Sequence, residues 1–86
     1  MMTAWKFAIF KNASDTQASC MVVAAGDSED DAKIVAVKFA SEFELHPEPG
    51  KITPCGLVSS SDEEKFQLAD NEKVRMAWYN PEKTDN

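Results

Sequence analysis

The residues best suited to covalent or acid–base chemistry in this 86-residue chain are one histidine, His46, and two cysteines, Cys20 and Cys55. A cysteine nucleophile needs a base within hydrogen-bond reach, and His46 precedes Cys55 by nine residues, with glutamates at positions 44 and 48. His46 stands before a proline, however, and nothing near Cys55 indicates the electropositive surroundings that activate a thiol. Both cysteines fall in apolar segments, so we expect them to be reduced and mostly buried. The sequence therefore favours a protein that is not an enzyme.

The acidic run that begins at Asp27 invites a cation-binding interpretation. A calcium-binding loop starting there would need glycine at its sixth position and glutamate at its twelfth, and these positions hold Ala32 and Lys38. Two cysteines and one histidine at no ligand-like spacing do not make a zinc site either. We expect no metal and no cofactor.

The acidic run instead marks the start of a helix, which we predict over residues 28–43. The Ser28 hydroxyl can accept a hydrogen bond from the amide of Asp31, and the acidic side chains complement the positive end of the helix dipole. Apolar residues then recur every three or four positions and form one continuous stripe: Ala32, Val35, Ala36, Phe39, Ala40 and Phe43. This stripe is expected to cover one face of a sheet.

Three strands are predicted around this helix. Residues 4–11 and 18–25 are joined by a short polar turn, so we expect them to pair as an antiparallel hairpin. Their register stays open, because the second segment is apolar on both faces. Residues 51–59 form the third strand, which we place at an edge or with a bulge because Pro54 lacks an amide donor and Gly56 adds freedom.

The last third of the chain allows two interpretations. Acidic residues at positions 62–64 could cap a short helix through residue 72. Apolar residues alternate there as well, so we favour a second hairpin between residues 65–69 and 73–79. The predicted fold is α+β: a small antiparallel ββαβ sheet, with a C-terminal hairpin or an extra strand, packed on one long amphipathic helix. Residues 1–80 form a single domain, and residues 81–86 form a polar tail.

Charge limits the class of partner. The net charge is −6 and the basic residues form no run, whereas proteins that bind nucleic acid through its phosphates show a concentrated positive surface. Direct nucleic-acid binding is disfavoured, and no apolar run approaches the roughly 18 residues of a membrane span. The first residues lack the features of a signal peptide, so we expect a cytoplasmic location. An acidic chain attracts basic protein surfaces, and so small a domain gains buried surface by forming a homo-oligomer.

Aromatic and acidic side chains are the candidate partner-binding residues. If Trp5, Phe7 and Ile9 face the helix, Phe10 lies on the opposite sheet face, where an uncovered apolar patch would mark a binding surface. A partner could add a strand to the edge formed by residues 51–59, or it could present a basic surface to the acidic side chains. The candidates are Phe10, Asp27, Glu29, Asp30, Asp31, Asp62, Glu63, Glu64, Trp78 and Tyr79.

The order of hairpin, acidic-capped helix and further strand resembles that of several small phage-encoded proteins, namely inhibitors of host RNA polymerase and anti-CRISPR proteins. Their recurring phrase is a strand that ends in alanine, followed by Asp/Ser-x-x-Glu/Asp-Ala and a helix, and residues 24–32 (AAGDSEDDA) match it. The match spans roughly residues 4–58 and concerns topology and pattern only. The resemblance implies that short, acidic ββαβ chains of this kind act by binding to a larger machine. Our leading hypothesis is a small acidic non-enzymatic interaction protein, an inhibitor encoded by a phage or mobile element that binds a host protein complex. The alternatives are a small enzyme or ligand-binding subunit whose site is assembled between copies, and a structural component of a particle.

Overall fold

The fold is built on a hairpin of two central strands. The computed structural model describes residues 2–12, 14–42 and 51–80, and within them β1 (Thr3–Phe10) pairs antiparallel with β2 (Cys20–Gly26). Phe7 lies opposite Val22, and Ile9 lies opposite Cys20, so the apolar residues of both strands fall on the same face. All four of these side chains are fully buried. The hairpin prediction is confirmed, and burial of this face sets the register that the pattern of the second strand left open.

The helix α1 (Glu29–Glu42) lies on this buried face. Its first turn is capped by the Ser28 hydroxyl, which accepts a hydrogen bond of 3.2 Å from the Asp31 amide, as predicted. The predicted stripe also faces the sheet: Ala32, Ala36 and Ala40 are fully buried. Phe43, the last residue of the stripe, lies outside the described residues. Because the centre of the stripe carries only methyl groups, α1 can lie close to the sheet.

The two remaining strands lie at opposite edges of a four-stranded antiparallel sheet. β3 (Lys51–Leu57) pairs with β1, and β4 (Val74–Tyr79) pairs with β2, which gives the strand order β3-β1-β2-β4. The edge position and the bulge expected for β3 are both present. The bulge is at Cys55, which has no partner on β1 because Lys6 pairs with Gly56 and the next residue, Phe7, pairs with Pro54. β4 also has a bulge, at Ala77, where its register with β2 shifts by one residue. Both edge strands are therefore irregular.

The predicted C-terminal hairpin is wrong, and the alternative of an extra strand is correct. Residues 65–69 do not pair with β4; instead a short 3₁₀ turn, Glu64–Phe66, lies in this part of the chain. The turn is also too short to be the helix through residue 72 considered above. β4 pairs with the outer edge of β2, a strand whose backbone groups need a second partner because the strand is buried. A two-stranded hairpin at the chain end would leave that edge unsatisfied.

The segment of residues 58–73 connects the two edge strands by crossing the face of the sheet opposite α1, here called the back face. Lys6 points to this face, since it alternates with the helix-facing residues of β1, and its Nζ lies 3.3 Å from a carboxylate oxygen of Asp62. On this back face, Val23 is fully buried and Ala8 is 6% exposed. The sheet is thus covered on both faces, by α1 on one and by residues 58–73 on part of the other.

Gly26, at the end of β2, lies very close to the first turn of α1. A Cβ atom placed on Gly26 would lie 2.6 Å from the backbone nitrogen of Ala32 and 3.0 Å from its Cα. Both are backbone atoms in the first turn of the helix, so they cannot move aside as a side chain would. We expect Gly26→Ala to lower the free energy of unfolding by about 2 kcal/mol, measured by urea denaturation.

Gly56→Ala is the matched control. Gly56 has a φ of +99°, which other residues rarely adopt, but a Cβ atom there meets nothing within 4 Å. The Gly56→Ala substitution therefore lowers the free energy of unfolding only through backbone conformation, by about 1 kcal/mol. If Gly26→Ala proves no more destabilising than Gly56→Ala, the tight contact between β2 and α1 is contradicted.

Candidate functional site

Four side chains form an apolar strip across the back face, at the half of the sheet away from Gly26. Ala8 lies opposite Met21 and Met21 lies opposite Trp78, so these three residues make a row across β1, β2 and β4. Phe10 lies on the same face, two residues further along β1. Strands are about 4.8 Å apart and rise about 3.4 Å per residue, so Phe10 and Trp78, two strands and two residues apart, stand roughly 12 Å from each other. We call Phe10, Ala8, Met21 and Trp78 the back-face strip.

The back-face strip is only partly covered. Phe10, Met21 and Trp78 all retain partial exposure, whereas Ala8 between them is buried. The Nζ atom of Lys51 lies 4.7 Å from the centroid of the Phe10 ring, close enough for a cation–π contact at one end of the strip. The strip therefore presents partly exposed apolar and aromatic surface on a rigid sheet.

One predicted acidic cluster, Asp62, Glu63 and Glu64, lies on this same face. The segment that carries it is fixed over the half of the sheet nearer Gly26, since the Val58 amide donates to the Ala4 carbonyl and Asp62 contacts Lys6. Glu63 and Glu64 are exposed, and the Nζ of Lys65 lies 3.9 Å from Glu63 Oε1. The structure thus brings the acidic segment and Phe10 and Trp78 onto a single face.

Asp62 differs from its two neighbours because its carboxylate holds the segment together. Asp62 Oδ2 accepts a hydrogen bond of 2.8 Å from the Ser59 amide, and the side chain also meets Lys6. The Ser59 amide hydrogen bond is the main cause that lowers the pKa of Asp62 below its ordinary value; burial opposes it, and the Lys6 ammonium lowers the pKa further. Asp62 therefore has a structural role, whereas the carboxylates of Glu63, beside Lys65, and of Glu64 are exposed.

The other acidic cluster lies on the opposite side of the sheet. This cluster surrounds the start of α1 and consists of Asp27, Glu29, Asp30 and Asp31. The negative charges interact favourably with the positive end of the helix dipole, and Ser28 caps the first turn. Gly26 pairs with Thr3, and the Lys73 carbonyl accepts from the Ala25 amide, so both acidic clusters belong to the same end of the sheet. A partner lying flat on one face of the sheet reaches only one of them.

Trp78 and Tyr79, predicted as adjacent anchors, lie on opposite faces. Tyr79 pairs with Cys20, a core residue, and so lies on the α1 side, where its side chain is 49% exposed. A further exposed apolar residue was not among the candidates: Ile34, on the outer side of α1, is 67% exposed. The helical period contains the signal for it, since Ile34 and Val37 lie off the predicted apolar stripe, among the polar residues of the outer side of α1.

The structure places the two cysteines in different surroundings. Cys20 is fully buried, and burial raises the pKa of its thiol to about 11, so the reactive thiolate is suppressed. The expectation that both thiols are buried is wrong for Cys55, which is exposed because it occupies the bulge of an edge strand. Its Sγ lies 3.5 Å from the Thr53 carbonyl oxygen. His46, its suggested base, lies outside the described residues.

The described residues contain no group of three or more histidine, cysteine or carboxylate side chains arranged to hold a metal ion. A surface cleft of about 240 Å³ lies between the start of β1 and residues 68–73. It is smaller than the roughly 300–1,000 Å³ that small-molecule sites usually occupy. In residues 2–12, 14–42 and 51–80, no helix combines the length and apolarity that crossing a bilayer requires. Comparison with protein-family models, with curated proteins and with solved structures finds no match for this chain.

Asp62→Asn tests how the acidic segment is held. A carboxyl group whose pKa is lowered by folding stabilises the folded state above its ordinary pKa of 3.8, and this contribution disappears as the pH falls through the lowered value. We expect Asp62→Asn to be less stable than the wild type at pH 7 and to lose less stability on acidification. Urea denaturation at pH 7 and at about pH 2 measures both effects.

Asp70→Asn, at an exposed position in the same segment, is the control and should keep the wild-type dependence on pH. Equal acid sensitivity in the wild type and Asp62→Asn would show that the hydrogen bonds of Asp62 do not hold residues 58–73 on the sheet.

Proposed function

We propose that this chain is a small non-enzymatic interaction protein that binds a protein partner through the back face of its sheet. The observation that carries the proposal is the meeting, on one face, of the back-face strip with the exposed carboxylates of Glu63 and Glu64. Interfaces that bind proteins combine aromatic anchors in a central patch with charges at the rim. Phe10 and Trp78 supply the anchors here, and the acidic segment supplies one side of the rim.

The face is better suited to binding than either edge of the sheet. Adding a partner strand requires a regular edge with free amide and carbonyl groups. β3, the edge suggested by the sequence, contains Pro54 and a bulge at Cys55, and β4 is interrupted by a bulge at Ala77. Bulges are among the features by which sheets avoid edge-to-edge pairing. The strand-addition route therefore has less support than binding on the face.

The charge of the segment indicates the chemistry of the partner. Glu63 and Glu64 favour a basic protein surface, including one that normally receives nucleic acid, and the net charge of −6 adds a longer-range attraction. The partner also needs an apolar group that fits the strip between Phe10 and Trp78. Free nucleic acid is a polyanion and does not meet the first requirement. The interior of a cell, where host complexes with such surfaces occur, is the location we propose.

Inhibition of a larger host complex is the role that agrees with this surface and with the resemblance to phage-encoded inhibitors. A rigid face of one small domain can occupy a basic site without any chemical step, which is how such an inhibitor acts. The enzyme alternative has less support, because Cys20 is buried and Cys55 lies on the exposed edge of β3.

Affinity capture with matched variants tests the proposal. Immobilised wild-type protein, Phe10→Ser and the double variant Glu63→Lys/Glu64→Lys are each incubated with lysate from the source cell or its host. Bound proteins are quantified by mass spectrometry. We expect a specific partner whose recovery falls about tenfold with either variant, because one loses an aromatic anchor and the other reverses the rim charge. Binding should also weaken as salt is raised.

The double variant Asp30→Lys/Asp31→Lys is the control, since it makes the same charge change on the opposite side of the sheet. It should retain the partner. A partner lost with this control but kept by Glu63→Lys/Glu64→Lys would place the binding surface at the start of α1. If no captured protein depends on Phe10, Glu63 or Glu64, the back-face proposal is wrong.

A further inference from the structure

The outer side of α1 exposes apolar surface that the back-face proposal does not use. Ile34 is the most exposed of the large apolar side chains in the described residues, at 67%, and Val37 beside it is partly exposed. Asp30, Lys33 and Lys38 surround these two residues. We call these five residues the outer helix patch.

Within the outer helix patch, one row of residues carries opposite charges at its two ends, and Lys33 lies beside this row. Asp30 precedes Ile34 by four residues and Lys38 follows it by four, so the three residues form one row along the helix. Each step of four residues rises about 6 Å, which places one negative and one positive charge at equal distances on either side of Ile34. A row of this kind is complementary to itself when it is turned end to end.

We propose that the outer helix patch binds a second copy of this chain, as an antiparallel pair of α1 helices related by a two-fold axis at Ile34. Ile34 then packs against the equivalent residue of the second copy. Asp30 meets Lys38 of the second copy, and Lys38 meets its Asp30, because a two-fold interface makes every contact twice. Rows with a spacing of four residues pack side by side in the commonest class of helix crossing, at about 50°.

The position of α1 allows this approach. Its buried side lies on β2, so the outer helix patch is on the outermost layer of the described structure. A single crossed helix pair buries less than the roughly 800 Å² per partner of a stable interface. The pair is therefore expected to be weak, with a dissociation constant on the order of 100 μM, and to depend on protein concentration.

The proposal is independent of the proposed function, because the outer helix patch and the back-face strip lie on opposite sides of the sheet. A dimer formed through α1 leaves both back faces free, so each could hold a partner. Failure of one proposal leaves the other standing.

Crossed charge reversal tests the pairing. Asp30→Lys and Lys38→Asp each place like charges opposite one another in a homodimer, so each variant alone is expected to self-associate roughly tenfold more weakly than the wild type. In an equimolar mixture the two variants restore both opposite-charge contacts. The mixture should then associate about as strongly as the wild type, as measured by sedimentation equilibrium over a range of protein concentrations.

Three controls make the result decisive. Asp70→Lys mixed with Lys11→Asp has the same net charges at exposed positions away from α1, and it should show no association beyond that of the wild type. Ile34→Ser keeps all charges and should remove self-association. Far-UV circular dichroism of each variant confirms that the helix is retained. Should the wild type stay monomeric at millimolar concentration, or should the crossed mixture associate no better than its separate components, the helix pairing is overturned.

Discussion

Close contact between the alanine side of α1 and β2 is the constraint on which the rest of this structure depends. Ala32, Ala36 and Ala40 contribute only methyl groups to the centre of the interface and are fully buried there. Larger, partly buried side chains pack around this centre. They come from α1 itself and from strands β1, β3 and β4: Trp5, Val35, Phe39, Ile52, Val74 and Met76. Small residues at the centre bring the layers together, and large residues at the rim exclude water from the contact. Gly26 belongs to the same arrangement, since the chain turns from sheet to helix where there is no room for a Cβ atom.

The location of the candidate surface follows from the way the chain connects the two edges of the sheet. Helix α1 leads from β2 past β1 to β3, and residues 58–73 then return across the back face to β4. Because both ends of that returning segment lie near Gly26, it covers only the nearer half of the back face. Val23 and Ala8 are buried beneath or beside it, whereas Phe10 and Trp78 in the farther half keep part of their surface exposed. The acidic segment and the apolar strip therefore share one face of the sheet as a result of topology, although they are distant in sequence.

Local signals in the sequence predicted the local elements. The cap at Ser28, the alanine-rich stripe, the hairpin and the irregular strand around Pro54 each depend on residues close together in the chain, and all four are present. The pairing of β4 with β2 was missed because it joins segments about 50 residues apart, and the alternation of residues 65–69 suggested a nearer partner. For the same reason the sequence proposed Phe10 and Asp62 as candidates but could not place them on one face. The exposure of Cys55 depends on the bulge of β3, which fixes the direction of a side chain that an apolar run alone would bury.

The central position of β2 has a consequence for how this domain opens. β2 is hydrogen-bonded on both sides, to β1 and to β4, and it is buried along nearly its whole length. Its amide hydrogens can reach solvent only when a neighbouring strand detaches, so they belong to the slowest-exchanging and most cooperative part of the molecule. Within the part of the chain that the structure describes, β3 and β4 each pair with one strand only, so they are expected to open at a lower free energy. The free energy needed to open a strand is thus expected to decrease from the middle of the sheet outwards. The outer strands can detach while the β1–β2 hairpin and α1 stay folded.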